Sequence, residues 1–215
     1  ACSPSFACLL QSSIEHRFNV AAFGLLGYEL DVTNLSRFDK AAVKKQIEYY
    51  KAHRYLLQYG EFDRIGDFFT DNIAKWQITS PDKKESILGY FINRVTPNWG
   101  NDVIRFTGLD ENKDYDLSAR TQLFSVRNLG EIINTPLPKK IDIEESRLYD
   151  FLVETVKLRT EKEEYTVGGD ALMSAGLKPH QPFVLSGYKF GVSRILMDTD
   201  SRMYYLKEKE QAAKK

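Results

Sequence analysis

The sequence predicts an α/β plus β fold, in which a single βα unit precedes a small antiparallel β-sandwich domain. Three observations support this class: an apolar run at residues 18–30, a long amphipathic pattern at residues 36–59, and a series of short apolar segments after Gly60. The first pattern is typical of a strand buried on both faces, the second of a helix, and the third of antiparallel strands joined by turns. We place a domain boundary near residue 61, which divides the chain into residues 1–61 and 62–215.

The apolar run at residues 18–30 is interrupted by Gly24 and Gly27. A buried helix is the competing interpretation, but glycine disfavours a helix interior by about 1 kcal/mol relative to alanine. We therefore predict a strand here.

The helix predicted at residues 36–59 has recognisable ends. Ser36 is a good N-cap and Asp39 follows it by three residues, as in a capping box, while Gly60 stands where a C-terminal cap glycine is expected. Strand, short loop and long helix form the repeating unit of a (β/α) barrel. The predicted buried face comprises Phe38, Ala42, Val43, Ile47, Tyr50 and Leu57.

The second domain begins with a predicted hairpin, in which strands at residues 76–79 and 86–92 flank a turn at residues 80–84. Another turn is predicted at residues 98–101. Further short strands are predicted at residues 103–107, 115–117, 183–186, 193–198 and 203–206.

A helical insertion is predicted within residues 139–162, because apolar residues recur there at roughly helical spacing. These residues are Ile143, Leu148, Phe151, Leu152 and Val156.

Charge and cysteine content exclude several classes of protein. Thirty basic and thirty acidic residues give a net charge of zero, so no nucleic-acid partner is expected. The sequence contains neither a membrane-spanning run nor a signal peptide. Its two cysteines, Cys2 and Cys8, predict no disulfide framework and no metal site. A cytoplasmic location without membrane association is the simplest expectation.

Four segments, in order along the chain, resemble parts of glycoside hydrolase family 36 α-galactosidases. EHRFNVAAFGLLGYELD at residues 15–31 is similar to the barrel-closing strand, and VKKQIEYYKAHRYLLQYGEFDRI at 43–65 to the final barrel helix and the exit from the barrel. KWQITSPDKKESILGYF at 75–91, with IRFTGLDENKDYDL at 104–117, resembles the C-terminal β-domain. GGDALMSAGL at 168–177 and DSRMYYLKE at 200–208 complete the resemblance.

The resemblance implies the end of a (β/α)8 barrel followed by a C-terminal antiparallel β-domain. Its implied activity is retaining hydrolysis of terminal α-linked galactose in oligosaccharides such as melibiose and raffinose, without metal or organic cofactor, in an enzyme that is often a homo-tetramer. The family's two catalytic Asp motifs lie upstream of the matched region, and neither is found here. We therefore assign no catalytic, cofactor-binding or metal-binding residue, and expect this C-terminal part of an α-galactosidase to be inactive alone.

Carboxylates near the predicted strand are the remaining candidates for glycosidase chemistry, which requires two carboxyl groups facing each other across a sugar. Glu29 and Asp31 are two residues apart and would share one face of a strand, with Glu15 before it. Side-by-side placement favours a helix-start or loop role over a catalytic pair.

The three histidines, His16, His53 and His180, have no ligand-like spacing. We expect His16 to be structural or to line a site, His53 to lie on the polar side of the long helix, and His180 to lie in a loop. Cys2 or Cys8 could act as a nucleophile with His16, but a small packed thiol is favoured.

Gly168, Gly169 and Asp170 could form a phosphate-cradling turn. They lack the lysine and the glycine spacing of a P-loop, so we predict a tight turn in which Asp170 caps the next segment.

An alternative function is a non-catalytic carbohydrate-binding or structural module. In that interpretation Trp76, Trp99 or nearby tyrosines would recognise a sugar.

Overall fold

The computed structural model describes residues 12–94, 102–126, 129, 133–142, 146–160, 162–179 and 199–210. The helices are α1 (Ile14–Ala22), a 3-10 helix (Val32–Asn34), α2 (Arg37–Tyr59), α3 (Phe68–Asp71), α4 (Arg147–Thr155) and α5 (Gly169–Ser174). The strands are β1 (Glu61–Ile65), β2 (Ile73–Thr79), β3 (Glu85–Ile92), β4 (Asp114–Ala119), β5 (Leu123–Ser125), β6 (Lys157–Arg159), β7 (Glu164–Gly168) and β8 (Asp200–Glu208).

Six of these strands form one antiparallel sheet in the order β1-β2-β3-β8-β4-β7, and β5 pairs with β6 separately. Strand β8 lies at the centre, paired with β3 from Ile92↔Asp200 to Glu85↔Lys207 and with β4 on its other side. The prediction of a mainly antiparallel sheet with helices is confirmed.

Two hydrophobic cores cover opposite faces of the sheet. On one face, α1 and α2 pack against Ile78, Ile87 and Met203. On the other, Leu88 and Tyr204 join residues from the loops and α5. Because β3 and β8 contribute alternate side chains to both cores, β3 has a nearly continuous apolar sequence.

The strand predicted at residues 18–30 is wrong: α1 occupies Ile14–Ala22, and no strand or helix forms from residue 23 to 30. Ser13 caps α1 by accepting a hydrogen bond from the His16 backbone N–H at 3.0 Å. Gly24 and Gly27 both follow the end of the helix, so neither opposes helix formation.

Helix α2 is confirmed together with its N-cap. The Ser36 hydroxyl accepts from the Asp39 backbone N–H at 2.9 Å and also contacts the Asp39 carboxylate at 2.8 Å. Gly60 follows the helix with a φ of −74°, which most residues adopt readily. Glycine is needed there because a Cβ would lie 2.4 Å from Cγ2 of Ile78.

After residue 61, the β2–β3 hairpin and the predicted strands at residues 115–117 and 203–206 are confirmed. The strand predicted at 103–107 is reduced to one bridge, Ile104↔Leu177, because its backbone bonds to the chain around α5 instead of joining the sheet. The Phe106 N–H, for example, donates to the Leu172 carbonyl. The turn at 98–101 and the strands at 183–186 and 193–198 lie outside the described residues.

The helical insertion is confirmed as α4, but not all of the apolar residues that recur at helical spacing are buried. Tyr149 and Val153 are buried, whereas Leu148 and Phe151 are exposed. Ile143 lies outside the described residues.

Among the described residues, no helix combines the length and the apolar character needed to cross a membrane.

Candidate functional site

A buried ionic pair joins the helices to the sheet. The Glu15 carboxylate on α1 accepts from the Arg120 guanidinium, which follows β4, at 2.5 Å. Glu15 also accepts from the side chain of Gln46 on α2 at 3.0 Å and from the Leu123 backbone N–H at 2.9 Å. The side chains of Glu15 and Arg120 are only 3% and 4% exposed. Three hydrogen bonds to one carboxylate offset part of the cost of burying its charge.

The same interface contains a histidine that connects α1 to β8. His16 Nδ1 lies 3.0 Å from the Ser201 hydroxyl, to which the Asn19 side-chain amide also donates at 2.9 Å. Burial lowers the pKa of His16 to about 4, with a smaller contribution from the nearby Arg17 charge. His16 is therefore neutral at pH 7, and its position confirms the expectation of a structural or site-lining residue.

A second buried pair involves central strand β8. Arg202 on β8 contacts Glu163 at 3.1 Å and the Gln122 side chain at 3.4 Å. The Arg202 and Glu163 side chains are 0% and 1% exposed. Polar side chains of central strand β8 thus form hydrogen bonds or ion pairs with several surrounding segments.

A cavity of about 510 Å³ lies next to α1, over the end of the sheet formed by β1, β2 and β3. Its aromatic wall includes Trp76 and Phe91, whose ring centroids are 4.8 Å apart, and the Phe23 ring packs behind them at 5.8 Å from Trp76. Gly89 pairs with Trp76 across the sheet. A Cβ at Gly89 would lie 2.6 Å from the Phe91 ring, so glycine is required for the ring packing.

Polar groups border this cavity. They belong to His16, Arg64, Asp67, Lys75, Asn93 and Thr199. Lys75 forms an ion pair with Asp102 at 3.5 Å, and the Arg64 guanidinium lies 5.9 Å from the centre of the Phe62 ring. The cavity therefore combines an apolar wall with charged and hydrogen-bonding groups, a composition typical of small-molecule sites.

The three candidate carboxylates lie in different environments. Glu15 is buried against Arg120, whereas Glu29 and Asp31 are exposed. Asp31 caps the 3-10 helix by accepting from the Thr33 backbone N–H at 2.9 Å. Hydrogen bonds from Thr33 lower the Asp31 pKa. Asp31 thus has the predicted helix-start role, but the strand face that Glu29 and Asp31 were expected to share does not exist.

His53 differs from its prediction. Its ring lies between those of Tyr49 and Tyr205, 4.4 Å from each, so it contacts the sheet instead of facing solvent. Burial lowers the His53 pKa, opposed in part by the negative charge of Glu85. His180, Cys2 and Cys8 lie outside the described residues, as does Trp99.

The Gly168-Gly169-Asp170 segment begins α5, with Gly168 as an N-cap that supplies no side-chain bond. Asp170 lies within the first turn of α5, one residue after the helix begins, and its carboxylate accepts from the Ala171 backbone N–H at 2.7 Å. A Cβ at Gly169 would lie 2.1 Å from the Asp110 carbonyl oxygen, so this glycine allows a close backbone approach. In the described part of the chain, no three His, Cys, Asp or Glu side chains gather as metal ligands would.

Sequence reasoning missed the interface network, although one signal was available. Asn19 and Gln46 are polar residues on the buried faces of α1 and α2, and both are 0% exposed. A buried amide requires hydrogen-bonding partners. Asn19 finds them in Ser201 and Arg120 on the sheet side of the interface, and Gln46 finds them in Glu15 and Tyr28.

Sequence comparisons relate both parts of the chain to known families. Residues 73–206 match the family model described as glycosyl hydrolase family 36 C-terminal domain, and residues 1–60 match that of melibiase. Alpha-galactosidase AgaA of Geobacillus stearothermophilus is 38% identical over 108 residues, which are 50% of this chain and 15% of that protein. Alpha-galactosidase 1 of Pediococcus pentosaceus is 45% identical over 89 residues, which are 41% of this chain and 12% of that protein.

Solved structures show the same relationship. The α-galactosidase from Lactobacillus brevis superposes with a TM-score of 0.66 at 25% identity, over 100% of this chain and 23% of that chain. A variant of AgaA in complex with raffinose superposes with a TM-score of 0.62 at 27% identity, over 96% of this chain and 21% of that chain. The chain therefore corresponds to less than a quarter of each of these relatives.

The C-terminal domain model alone covers more than half of the sequence, and the similar α-galactosidases agree with it over both parts of the chain: the protein belongs to glycosyl hydrolase family 36.

Proposed function

We propose that this chain is the C-terminal part of an α-galactosidase, a retaining glycoside hydrolase that releases terminal α-linked galactose from oligosaccharides. The observation that carries the proposal is the order of the two family matches, melibiase at residues 1–60 and the C-terminal domain at 73–206. The gap between them contains the domain boundary predicted near residue 61.

In this proposal residues 1–61 form the end of the catalytic (β/α)8 barrel, and residues 62–215 form the C-terminal antiparallel β-sandwich domain. The parent enzyme acts on α-galactosides, functions as a cytoplasmic homo-tetramer and uses no cofactor. The solved AgaA complexes with raffinose and stachyose support the substrate class.

The role of the chain in such an enzyme is to hold the end of the barrel against the β-domain. Glu15 and His16 belong to the first part, and Arg120 and Ser201 belong to the second. Fixing this junction would position barrel elements that precede it, because small displacements of a catalytic group reduce turnover strongly.

We further propose that the isolated chain does not hydrolyse α-galactosides. A retaining glycosidase requires two carboxyl groups about 5 Å apart, one of them free to attack the sugar. Glu15 is bound by Arg120, Gln46 and the Leu123 backbone, while Glu29 and Asp31 lie on the exposed connection to α2.

The experiment compares two proteins with p-nitrophenyl α-galactoside: the isolated chain, and a chimera in which the chain replaces the equivalent C-terminal segment of AgaA. We expect turnover by the chimera and none by the isolated chain. Turnover by the isolated chain would contradict its proposed inactivity. A chimera that folds and assembles as AgaA does, yet shows no turnover, would contradict the proposed role as a working C-terminal part.

A further inference from the structure

The cavity beside α1 shares His16 with the junction contacts, and its aromatic wall is held by ring packing. Phe91 is 4% exposed and is packed by Trp76 and by Phe23, whose ring centroid lies 5.9 Å away. The His16 ring meets Phe91 edge-on, with centroids 6.2 Å apart. Trp76 itself is only partly buried, so part of the indole remains available to a ligand. An aromatic surface of this kind binds the apolar face of a ring by close packing.

Hydrogen-bonding groups stand around this wall. The Arg64 guanidinium lines the cavity and offers several N–H donors. The Asn93 carboxamide can provide both a donor and an acceptor. The His16 ring is already hydrogen-bonded to the Ser201 hydroxyl and to the Asp200 backbone, so it contributes to the wall of the cavity by its ring surface.

The charges at the rim are balanced. Lys75 is paired with Asp102, and Asp67 lines the cavity together with Arg64. An anionic or cationic ligand would find little net attraction in such a setting. A neutral ligand rich in hydroxyl groups would find donors and acceptors together.

The cavity volume of about 510 Å³ suits a small ligand, because sites for small molecules usually measure about 300–1,000 Å³. We infer that this cavity is a carbohydrate-binding site for a neutral mono- or disaccharide, one face of which packs on Trp76 while its hydroxyl groups bond to Arg64 and Asn93. Trp76 would thus contact sugar within a concave site and not on the flat platform that a surface-binding module uses.

The test uses Trp76 as its own reporter. The chain contains two tryptophans, Trp76 and Trp99, so a Trp99→Phe variant with unchanged circular dichroism leaves Trp76 as the sole indole. Titration of this variant with melibiose should give a saturable change in fluorescence, with a Kd of about 1–10 mM. Sodium benzoate serves as an anionic aromatic probe.

Arg64→Met in this background should raise the Kd for melibiose at least about tenfold, because it removes hydrogen bonds from a charged donor. Arg54→Met is the matched control, since Arg54 is exposed on α2 and lies outside the cavity, and it should bind like the parent. An absent or non-saturable response to melibiose, or an equal response in the Arg64 and control variants, would overturn the inference. Tighter binding of benzoate than of melibiose would also overturn it, in favour of an anion site.

Because the readout is binding by the isolated chain, a negative result would leave the proposed α-galactosidase role standing. Equally, an inactive chimera would not affect this site.

Discussion

The guanidinium of Arg120 and the carboxylate of Glu15 meet at 2.5 Å although they are 105 residues apart in sequence. Arg120 also lies 4.7 Å from the centre of the Phe18 ring and donates to the Asn19 side-chain oxygen at 2.8 Å, so it contacts three side chains of α1. Desolvation offsets much of the attraction within such a pair, and its main effect is to penalise arrangements in which one partner loses the other. The pair therefore favours a single way of docking α1 on the sheet.

Replacing Arg120 with Met should lower the free energy of unfolding by about 3–5 kcal/mol, because Glu15 would remain buried without a counter-charge. The double variant Glu15→Gln/Arg120→Met should recover a large part of this loss. Urea unfolding followed by circular dichroism measures both effects.

The exposed ion pair between Lys162 and Glu164 provides the control, since those side chains are 76% and 56% exposed. Glu164→Gln should change stability by no more than about 1 kcal/mol. Equal losses for Arg120→Met and Glu164→Gln would contradict the importance of burial.

Gly60→Ala should destabilise the protein by about 1–3 kcal/mol, which is typical of overpacking. The added Cβ would lie 2.4 Å from Cγ2 of Ile78 and 2.7 Å from the Leu56 carbonyl oxygen. Gly27→Ala is the matched control, because a Cβ there meets no atom within 4 Å. In thermal unfolding, the Gly60→Ala variant should have a lower melting temperature than the Gly27→Ala variant. Similar melting temperatures would refute the steric explanation.

Stability should decrease as the pH falls below about 6.5, because the buried His16 resists protonation. Its pKa is about 4 in the folded protein and 6.5 in an unconstrained chain, so protons bind the unfolded state preferentially between these values. The contribution of His16 is complete above pH 6.5 and should fall by about 2 kcal/mol at pH 5. His16→Gln should show a correspondingly smaller difference between pH 7.5 and pH 5 in urea unfolding. A variant with the same pH dependence as the parent would exclude His16 as the cause.

Ser36→Ala should cost about 1 kcal/mol, because it removes the N-cap of α2 and its bond to Asp39. Ser36→Asp should retain most of the stability, since aspartate is also a good N-cap. Chemical unfolding of both variants tests whether the hydroxyl acts as a cap, and equal losses in the two would argue that it does not.

Local signals predicted α2 and the β2–β3 hairpin correctly. The N-cap and the helical periodicity of α2, and the turn residues of the hairpin, all lie within or next to the elements that they specify. Residues 18–30 were assigned to a strand because their apolar run and two glycines were read as one element. In the structure the helix starts earlier, at Ile14, and ends before either glycine. The cap at Ser13 was the overlooked signal.

Long-range pairing could not be derived from the sequence. Nothing near Arg120 indicates that its partner is Glu15, and nothing near Trp76 indicates that Phe91 and α1 complete a cavity with it. The buried face of α4 also depends on the surrounding chain. Leu148 and Phe151 fit a helical period, but the surrounding chain buries Tyr149 and Val153 instead. Tertiary contacts select which apolar side chains become core.

The central position of β8 has a consequence for synthesis on the ribosome. A growing chain holds β1, β2 and β3 on one side and β4 and β7 on the other, and these halves share no strand pairing until β8 enters between them. Both inner edges remain open until residue 208 has left the exit tunnel, and open edges recruit foreign strands. The interval before β8 emerges is when a chaperone would protect this protein most.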